Sequence, residues 1–412
     1  MGRLKAILTN KSILIKILIT FALLLLFRVL IFVHIPLMDT LSMESWIKSN
    51  DFLQILNNFG GNAIEQGSIL ALGISPYITS SIIVQLLQTV IPQLKEWQDQ
   101  GDAGRQKASK FTRYLAFALA YIQGLLLILG RANGELANIL YVSPAFMQNG
   151  FAVGFAAYVF MPLAIVAGTC ICIWIADLIT KKGIGNGSSM LITAGIVVSI
   201  PSMGTSLWSK FITGTADAPA GKWYQILYFI IVILVYIGVI LLVTFIQSST
   251  RKIPIQYANR QGKSNSDIPL KLNSASVMPV IFASTVLSIP LTIAGFFSVD
   301  SSAGVGFWLN EIFNNRKTIG LVIYILLIVI FSFFYSFMQT SPNKIADNLS
   351  KSNAFIPGVR PGEDTKNFVA RLLFKVTVIG TIYLVFVAVL PILICQIFGL
   401  SNNISIGGTS LL

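Results

Sequence analysis

"NNFGGNAIEQGSILALGISPYITSS" occupies Asn57 to Ser81. Its first part is too polar to cross lipid, although apolar sequence flanks it on both sides. Its second part opens what should be a membrane span, yet carries Gly73, Pro76 and the hydroxyl residues Ser75, Thr79, Ser80 and Ser81. Glycine and proline both break regular helix. The stretch therefore reads as an interrupted helix, with Ile74 and Ile78 placed just after the break. Those two residues are four apart and share a helix face.

The rest of the chain says what kind of protein would contain such a break. Of 412 residues, 55% are hydrophobic and only 11% charged. Soluble domains have roughly 45–50% apolar and about 25% charged residues. The composition is that of a polytopic membrane protein. Met1–Lys11 is basic, but the apolar run behind it is long enough to remain a span rather than a cleaved signal. Cys170, Cys172 and Cys395 lie in apolar runs without CxxC spacing and read as buried thiols. His34 is the single histidine, too little for a zinc site or a Ser-His-Asp system.

A span needs about 20 mostly apolar residues. Nine stretches qualify: Ser12–Ile35, Ser68–Ile91, Phe111–Gly130, Phe151–Ile179, Gly187–Met203, Trp223–Ile246, Ser274–Phe297, Thr318–Met338 and Phe368–Phe398. A tenth begins near the end and stops at Leu412. Of the 29 Lys and Arg, 21 fall on the side of the N-terminus, six on the other side, and Lys16 and Arg28 within the first span. The positive-inside bias predicts a cytoplasmic N-terminus. The longest cytoplasmic loops, 247–273 and 339–367, are basic and rich in Asn, Ser, Pro and Gly. Helix hairpins need only about 2–8 residues, so loops of this length predict a docking surface.

Two spans stand apart. Ser68–Ile91 contains Pro76, and Ser274–Phe297 contains Pro279 and Pro290; both are peppered with Ser, Thr and Gly. They hold the second place in each half if five spans make a half. Interrupted helices at matching places predict a repeat architecture with its functional site between the halves. An odd number of spans per half makes the repeats inverted.

Reactive chemistry is missing. There is no phosphate loop and no HExxH, and "GIGNG" (Gly183–Gly187) precedes a span as a tight helix start. The spans are nearly free of Asp and Glu; Asp177 lies at a cytoplasmic helix end. Arg28 is the conspicuous charge within a span, expected to snorkel or to pair with a polar neighbour. A lining of aliphatic and hydroxyl groups suits a passage that must not bind its cargo, closed to water and ions by dewetting. An inverted-repeat secondary transporter for a small solute is the alternative, but it lacks ionisable midplane residues. An intramembrane enzyme lacks its catalytic groups, and the reading calls for no cofactor.

Several stretches carry a family resemblance: "FRVLIFVHIPLMD" (Phe27–Asp39), "FGGNAIEQGSILALGISPYITSSIIVQLLQ" (Phe59–Gln88), "GDAGRQKASKFTRY" (Gly101–Tyr114), "KKGIGNGSSMLITAGI" (Lys181–Ile196), "RKIPIQYANRQG" (Arg251–Gly262), "IPLKLNSASVMPVIFAS" (Ile268–Ser284), "SPNKIADNLSKSNAFIPGVRPGEDT" (Ser341–Thr365) and "GGTSLL" (Gly407–Leu412). In this order, along nearly the whole chain, they resemble SecY, the family of central channel subunits of the bacterial protein-translocation machinery. The resemblance implies an all-α polytopic membrane protein of the SecY-type fold, with two inverted five-helix halves, 1–208 and 209–412, around an hourglass pore. It implies a plug at about 53–67, including Asn57, Phe59, Gly60, Gly61, Asn62, Ala63 and Ile64. It implies a pore ring of Ile74, Ile78, Ile192 and Ile281, and a lateral gate between the second and seventh helices whose polar positions match Thr79, Gln123 and Ser284. Hydroxyl contacts worth only about 1 kcal/mol in a membrane setting suit a gate that must open.

The same resemblance implies cytosolic docking through Arg251, Lys252, Arg260 and Arg360, with the motor ATPase SecA or the ribosome as partner. Contact with ribosomal RNA phosphates would be salt-sensitive. SecE-like and SecG-like small subunits, secretory preproteins with their signal sequences and the surrounding membrane lipid are further partners, and the bacterial plasma membrane is the location. The chain departs from the family pattern in three places. Ser188 replaces an apolar residue, predicting a slightly more polar pore wall. The loop around Gly262–Asp267 is shorter and less basic. The chain stops at Leu412, so the tenth helix is largely absent.

Overall fold

The computed structural model describes residues 10–36, 57, 60–132, 150–208, 223–257, 266–273, 276–296, 304–314 and 317–397. Phe59, Arg260, residues 53–56 and the start of the expected tenth helix, Gly407–Leu412, lie outside them. The chain divides into two compact units, Met1–Gly204 with Thr292–Asp300, and Thr205–Leu291 with Ser301–Leu412.

The first unit is helical. Its elements are α1 (Lys11–Ile31), α2 (Ser75–Val90), α3 (Pro92–Asp99), α4 (Asp102–Ala132), α5 (Gly150–Phe155), a π-helical turn (Ala156–Phe160), α6 (Met161–Lys182) and α7 (Gly187–Trp208). In lipid the backbone must satisfy its own hydrogen bonds, which is why apolar runs of this length become helices. Their starts follow local chemistry. The Asn10 side chain accepts the Ser12 N–H at 3.2 Å at the head of α1. Pro76 and Pro92 sit in the first turns of α2 and α3, where a missing N–H costs nothing. Pro162, at the head of α6, follows the π turn without a break. It has no N–H for the Tyr158 carbonyl, and the Tyr121 hydroxyl of α4 donates to that oxygen instead, at 2.9 Å.

The second unit contains α8 (Trp223–Ser248), β1 (Thr250–Tyr257), β2 (Ser266–Lys271), α9 (Met278–Phe296), α10 (Gly304–Phe313), α11 (Thr318–Gln339), α12 (Pro342–Lys351), β3 (Ala354–Phe355) and α13 (Glu363–Ile397). Its membrane core gathers Val280, Leu287, Tyr324, Ile328, Leu384 and Val387. Phe282 of α9 packs on Phe331 and Tyr335 of α11, with ring centroids 5.4 and 4.8 Å apart. Ser336 of α11 and Thr377 of α13 share a buried hydrogen bond of 2.6 Å.

Six helices among the described residues are long and apolar enough to cross a membrane: Lys11–Ile31, Ala103–Ile128, Phe151–Lys182, Phe229–Ser248, Thr318–Lys351 and Glu363–Leu393. α7 and α9 are apolar over Gly187–Val198 and Met278–Leu287 among the described residues, within helices of 22 and 19 residues. The second expected span is cut short. α2 has 16 residues, about 24 Å at 1.5 Å per residue, against a hydrocarbon thickness of about 30 Å. Of the seven positions expected to precede it in the span, Ser68 forms a β-bridge and Ile69–Ile74 are turns.

The long loops are also more ordered than their composition suggests. β1 pairs antiparallel with β2, from Thr250 opposite Lys271 to Ile255 opposite Ser266. β1 also pairs with β3, placing Gln256 opposite Phe355 and Tyr257 opposite Ala354. The sheet order β2-β1-β3 joins the two loops into one body. Beneath it lie Ile253, Ile255, Leu270, Leu349, Ile356 and Val369. Two prolines argue against strands here. Pro254, however, lies where β1 lacks a β3 partner, and Pro269 is on the edge strand β2.

Of the cysteines expected to be buried, Cys172 is buried but Cys170 is half-exposed. Two residues apart on α6, they lie about 200° apart around a helix of 3.6 residues per turn.

Candidate functional site

The break in the second span is a built structure. After α1 the chain runs extended, and His34 bridges antiparallel to Ser68. The Ile35 N–H donates to the Gly67 carbonyl at 2.8 Å, and the Ile69 N–H to the Val33 carbonyl at 2.9 Å. Consecutive turns follow. The Ala71 N–H donates to the Ser68 carbonyl, that of Gly73 to Leu70 and that of Ser75 to Leu72. Gly73 adopts φ +53°, a conformation glycine takes without steric cost. The backbone groups of an irregular segment are thus paired locally, the condition for such a segment at membrane depth.

Asn57 staples the segment from inside. It is 5% exposed. Its Oδ1 accepts the Ile64 and Glu65 N–H groups, both at 3.1 Å, and its Nδ2 donates to Glu65 Oε2 at 3.3 Å. The Asn57 carbonyl accepts the Asn62 N–H at 2.8 Å. Buried Ser68 accepts the Leu70 N–H at 3.1 Å.

Glycines on two helices admit the segment. A Cβ on Gly168 of α6 would overlap the Ile69 carbonyl. On the α7 side, a Cβ on Gly61 would lie 3.3 Å from Gly195 Cα and 3.4 Å from Ile31 Cδ1. Arg28 of α1 completes the cradle: its Nη1 donates to the Gly61 carbonyl at 2.9 Å. The guanidinium lies over the Phe32 ring, 5.1 Å from its centroid. A cleft of about 300 Å³ adjoins this contact, lined by Phe21, Leu25, Arg28, Gly61, Met190 and Val197 among others. The polar neighbour expected for Arg28 is thus a backbone carbonyl. The signal for it was visible, since a charge within a span marks a functional position by default. Its partner was not.

Three of the four ring candidates meet in one apolar cluster of the first unit. Ile74 is buried within it, beside Phe27, Ile31 and Leu70, while Ile78 and Ile192 pack half-buried at its edge. Ile281 belongs to α9 in the second unit. Its carbonyl accepts the hydroxyls of Ser284 and Thr285, each at 2.8 Å.

Two of the three polar residues expected at the gate bond within their own helices. Thr79 Oγ1 donates to the Ser75 carbonyl of its own helix at 3.1 Å, as Ser284 does to Ile281. Gln123 Oε1 is buried and makes no hydrogen bond among the described residues. The hydroxyl that links helices is Ser80, which the sequence reading passed over: fully buried, its Oγ donates to the Thr112 carbonyl of α4 at 2.8 Å. Ser188, the departure from the family pattern, donates its N–H and Oγ to Asn186 Oδ1, at 3.1 and 2.7 Å, at the start of α7. Across α4 and α6, Arg113 and Asp177 form an ion pair of 2.7 Å.

On the loop platform, Arg251 and Lys252 are exposed on β1, and Arg360 is exposed before α13. The Arg360 carbonyl accepts the Thr365 hydroxyl at 2.8 Å. Among the described residues, no group of three or more His, Cys, Asp or Glu could hold a metal ion.

A family model described as SecY matches residues 68–412. The protein translocase subunit SecY of Bacillus subtilis is 39% identical over 404 residues, spanning 96% of this chain and 90% of that protein. The Staphylococcus aureus subunit of the same name is 37% identical over 407 residues, with the same coverage of both chains. Among solved structures, one described as a protein conducting channel aligns with TM-score 0.59 at 16% identity, over 96% of this chain and 88% of that one. Sec61 from a canine ribosome-channel complex of the endoplasmic reticulum aligns with TM-score 0.55 at 16% identity and the same coverage. At such identities the structural likeness speaks for the fold.

Proposed function

The chain belongs to the SecY family, and from that premise we propose that it is a protein-conducting channel. It passes unfolded secretory polypeptides across the membrane and releases hydrophobic segments sideways into lipid. The observation that carries the reading is the turn segment from Gly60 to Ile74. Its turns are hydrogen-bonded to one another and to the strand-like stretch after α1, it packs close to Gly168 and Gly195, and it leads directly into the short helix α2. A small-solute transporter would instead need polar ligands converging at the break, and the cluster around Ile74 is apolar.

In this reading residues 53–67 are the plug, including Asn57, Phe59, Gly60, Gly61, Asn62, Ala63 and Ile64. Ile74, Ile78, Ile192 and Ile281 form the pore ring. Thr79, Gln123 and Ser284 lie along the lateral gate, and residues 1–208 and 209–412 are the inverted halves. Arg251, Lys252, Arg260 and Arg360 dock the SecA motor or the ribosome, which supplies the energy, so the chain itself is no enzyme. SecE-like and SecG-like subunits complete the complex in the bacterial plasma membrane, with the N-terminus cytoplasmic.

Deleting Asn57–Gln66 and recording planar-bilayer currents from the assembled complex tests the plug. Resting ion leakage is expected; silent bilayers would count against it. For the ring, Ile78→Asn should relax signal-sequence discrimination in a secretion assay, and wild-type selectivity would reduce Ile78 to a packing residue.

A further inference from the structure

We propose that Arg28 is a positioning residue that latches the closed channel: its guanidinium holds the Gly61 carbonyl and thereby sets how readily the plug segment leaves its seat. This inference rests on the reading of that segment as a plug.

Four observations converge on it. The Arg28–Gly61 bond joins α1 to a segment 33 positions further along the chain, so it is a tertiary contact and not a local cap. Gly61 also faces both α1 and α7 closely enough that an added Cβ would meet Ile31 and Gly195. The guanidinium is held over Phe32, which orients it before any partner arrives. Finally, the adjoining cleft is walled mainly by apolar side chains of α1 and α7. A hydrogen bond is electrostatically stronger where the local dielectric is low, and an unpaired polar group there is costly. Releasing Gly61 would strand a cation beside that apolar wall until water or another carbonyl replaced the lost acceptor. A neutral side chain would carry no such penalty and would let the segment go more easily.

A charge-assisted hydrogen bond is worth enough that losing it shifts an equilibrium by roughly ten- to a hundredfold. The test records resting ion currents from the full chain assembled with its partner subunits in planar bilayers. Arg28→Gln is expected to raise the resting open probability by about ten- to a hundredfold. Arg28→Lys keeps the charge and one donor and should lie between Gln and wild type. Each is repeated in the Asn57–Gln66 deletion, where neither should add anything, because the acceptor is gone. A merely structural role for Arg28 would leave the resting current unchanged, or would add to the deletion.

The outcomes separate the two ideas. If the deletion leaks and Arg28→Gln stays as quiet as wild type, or adds to the deletion, the latch is overturned and the plug stands. If the deletion itself is silent, the plug reading fails and the latch fails with it. Should Arg28→Gln not assemble, Arg28→Lys alone decides. A wild-type resting current for Lys, together with unaltered hydrogen exchange of the Ile64 and Glu65 amides, overturns the latch. A raised current in the full chain, with no increment over the deletion's own leak when Lys is placed in the deletion, supports it.

Discussion

Gly61→Ala should unseat the turn segment, and its cost can be worked from two parts of the structure. Gly61 has φ +68°, where a residue with a Cβ pays about 1–2 kcal/mol. The added methyl would also meet Gly195 Cα at 3.3 Å and Ile31 Cδ1 at 3.4 Å. Ile31 can rotate, but Gly195 presents backbone, so the segment has to yield. Overpacking of this kind costs about 1–3 kcal/mol. Together they suggest about 2–5 kcal/mol, roughly a 30- to 5,000-fold rise in the unseated population. Hydrogen exchange reads this directly, because the Ile64 and Glu65 amides are held by Asn57 inside the segment. Both should exchange faster by that factor, while amides in the middle of α6 keep their wild-type rates. Asn62→Gly is the control. Asn62 has φ +67°, so glycine there relieves strain, with a net effect of about 1 kcal/mol or less. If Gly61→Ala exchanges like wild type, the close seating of the segment on Gly195 is wrong.

Ser80→Ala should lower stability by about 1 kcal/mol through loss of its bond to Thr112, whereas Thr79→Ala, whose hydroxyl bonds only its own helix, should cost less; thermal melts of the detergent-solubilised complex rank them, and the reverse order would contradict the geometry. Ile253→Ala removes a buried side chain from under the sheet and should cost the platform about 2–4 kcal/mol. Limited proteolysis within 250–271 should accelerate while the membrane helices stay protected, and unchanged cleavage would mean that the sheet does not depend on this core. The Arg113–Asp177 pair has side chains 37% and 32% exposed, so a double-mutant cycle with Arg113→Gln and Asp177→Asn should give a coupling of only about 0.2–1 kcal/mol that falls with salt. A coupling of several kcal/mol would mean the pair is shielded from water.

Much of this could be read from residue order. Apolar runs of span length had to become helices, because nothing in lipid would pair an exposed backbone. Gly73 and Pro76 forbade a regular helix through the second span. The stretch from Arg251 to Tyr257 was harder. Its Ile253/Ile255 alternation is a strand signal, but Pro254 spoke against it, and only pairing with β2 and β3 showed a register that tolerates the ring. At Ser188 the structure adds a local detail that residue order leaves open: its N–H and Oγ bond Asn186 Oδ1 at the start of α7.

The sequence by itself determined that this is a membrane protein with a broken second span, a lone arginine near the end of its first span and aliphatic side chains after the break. Those properties depend on composition and on neighbours within a few residues. The tertiary structure decided what each of them touches. Arg28 meets the Gly61 carbonyl, Gly168 makes room for Ile69, Asn57 closes a loop on Ile64 and Glu65, and Ser80 rather than Thr79 ties α2 to α4. Each depends on the approach of backbone atoms from distant segments, and a carbonyl or Cα looks the same at every position of a sequence until the fold brings one of them within 3 Å of a side chain.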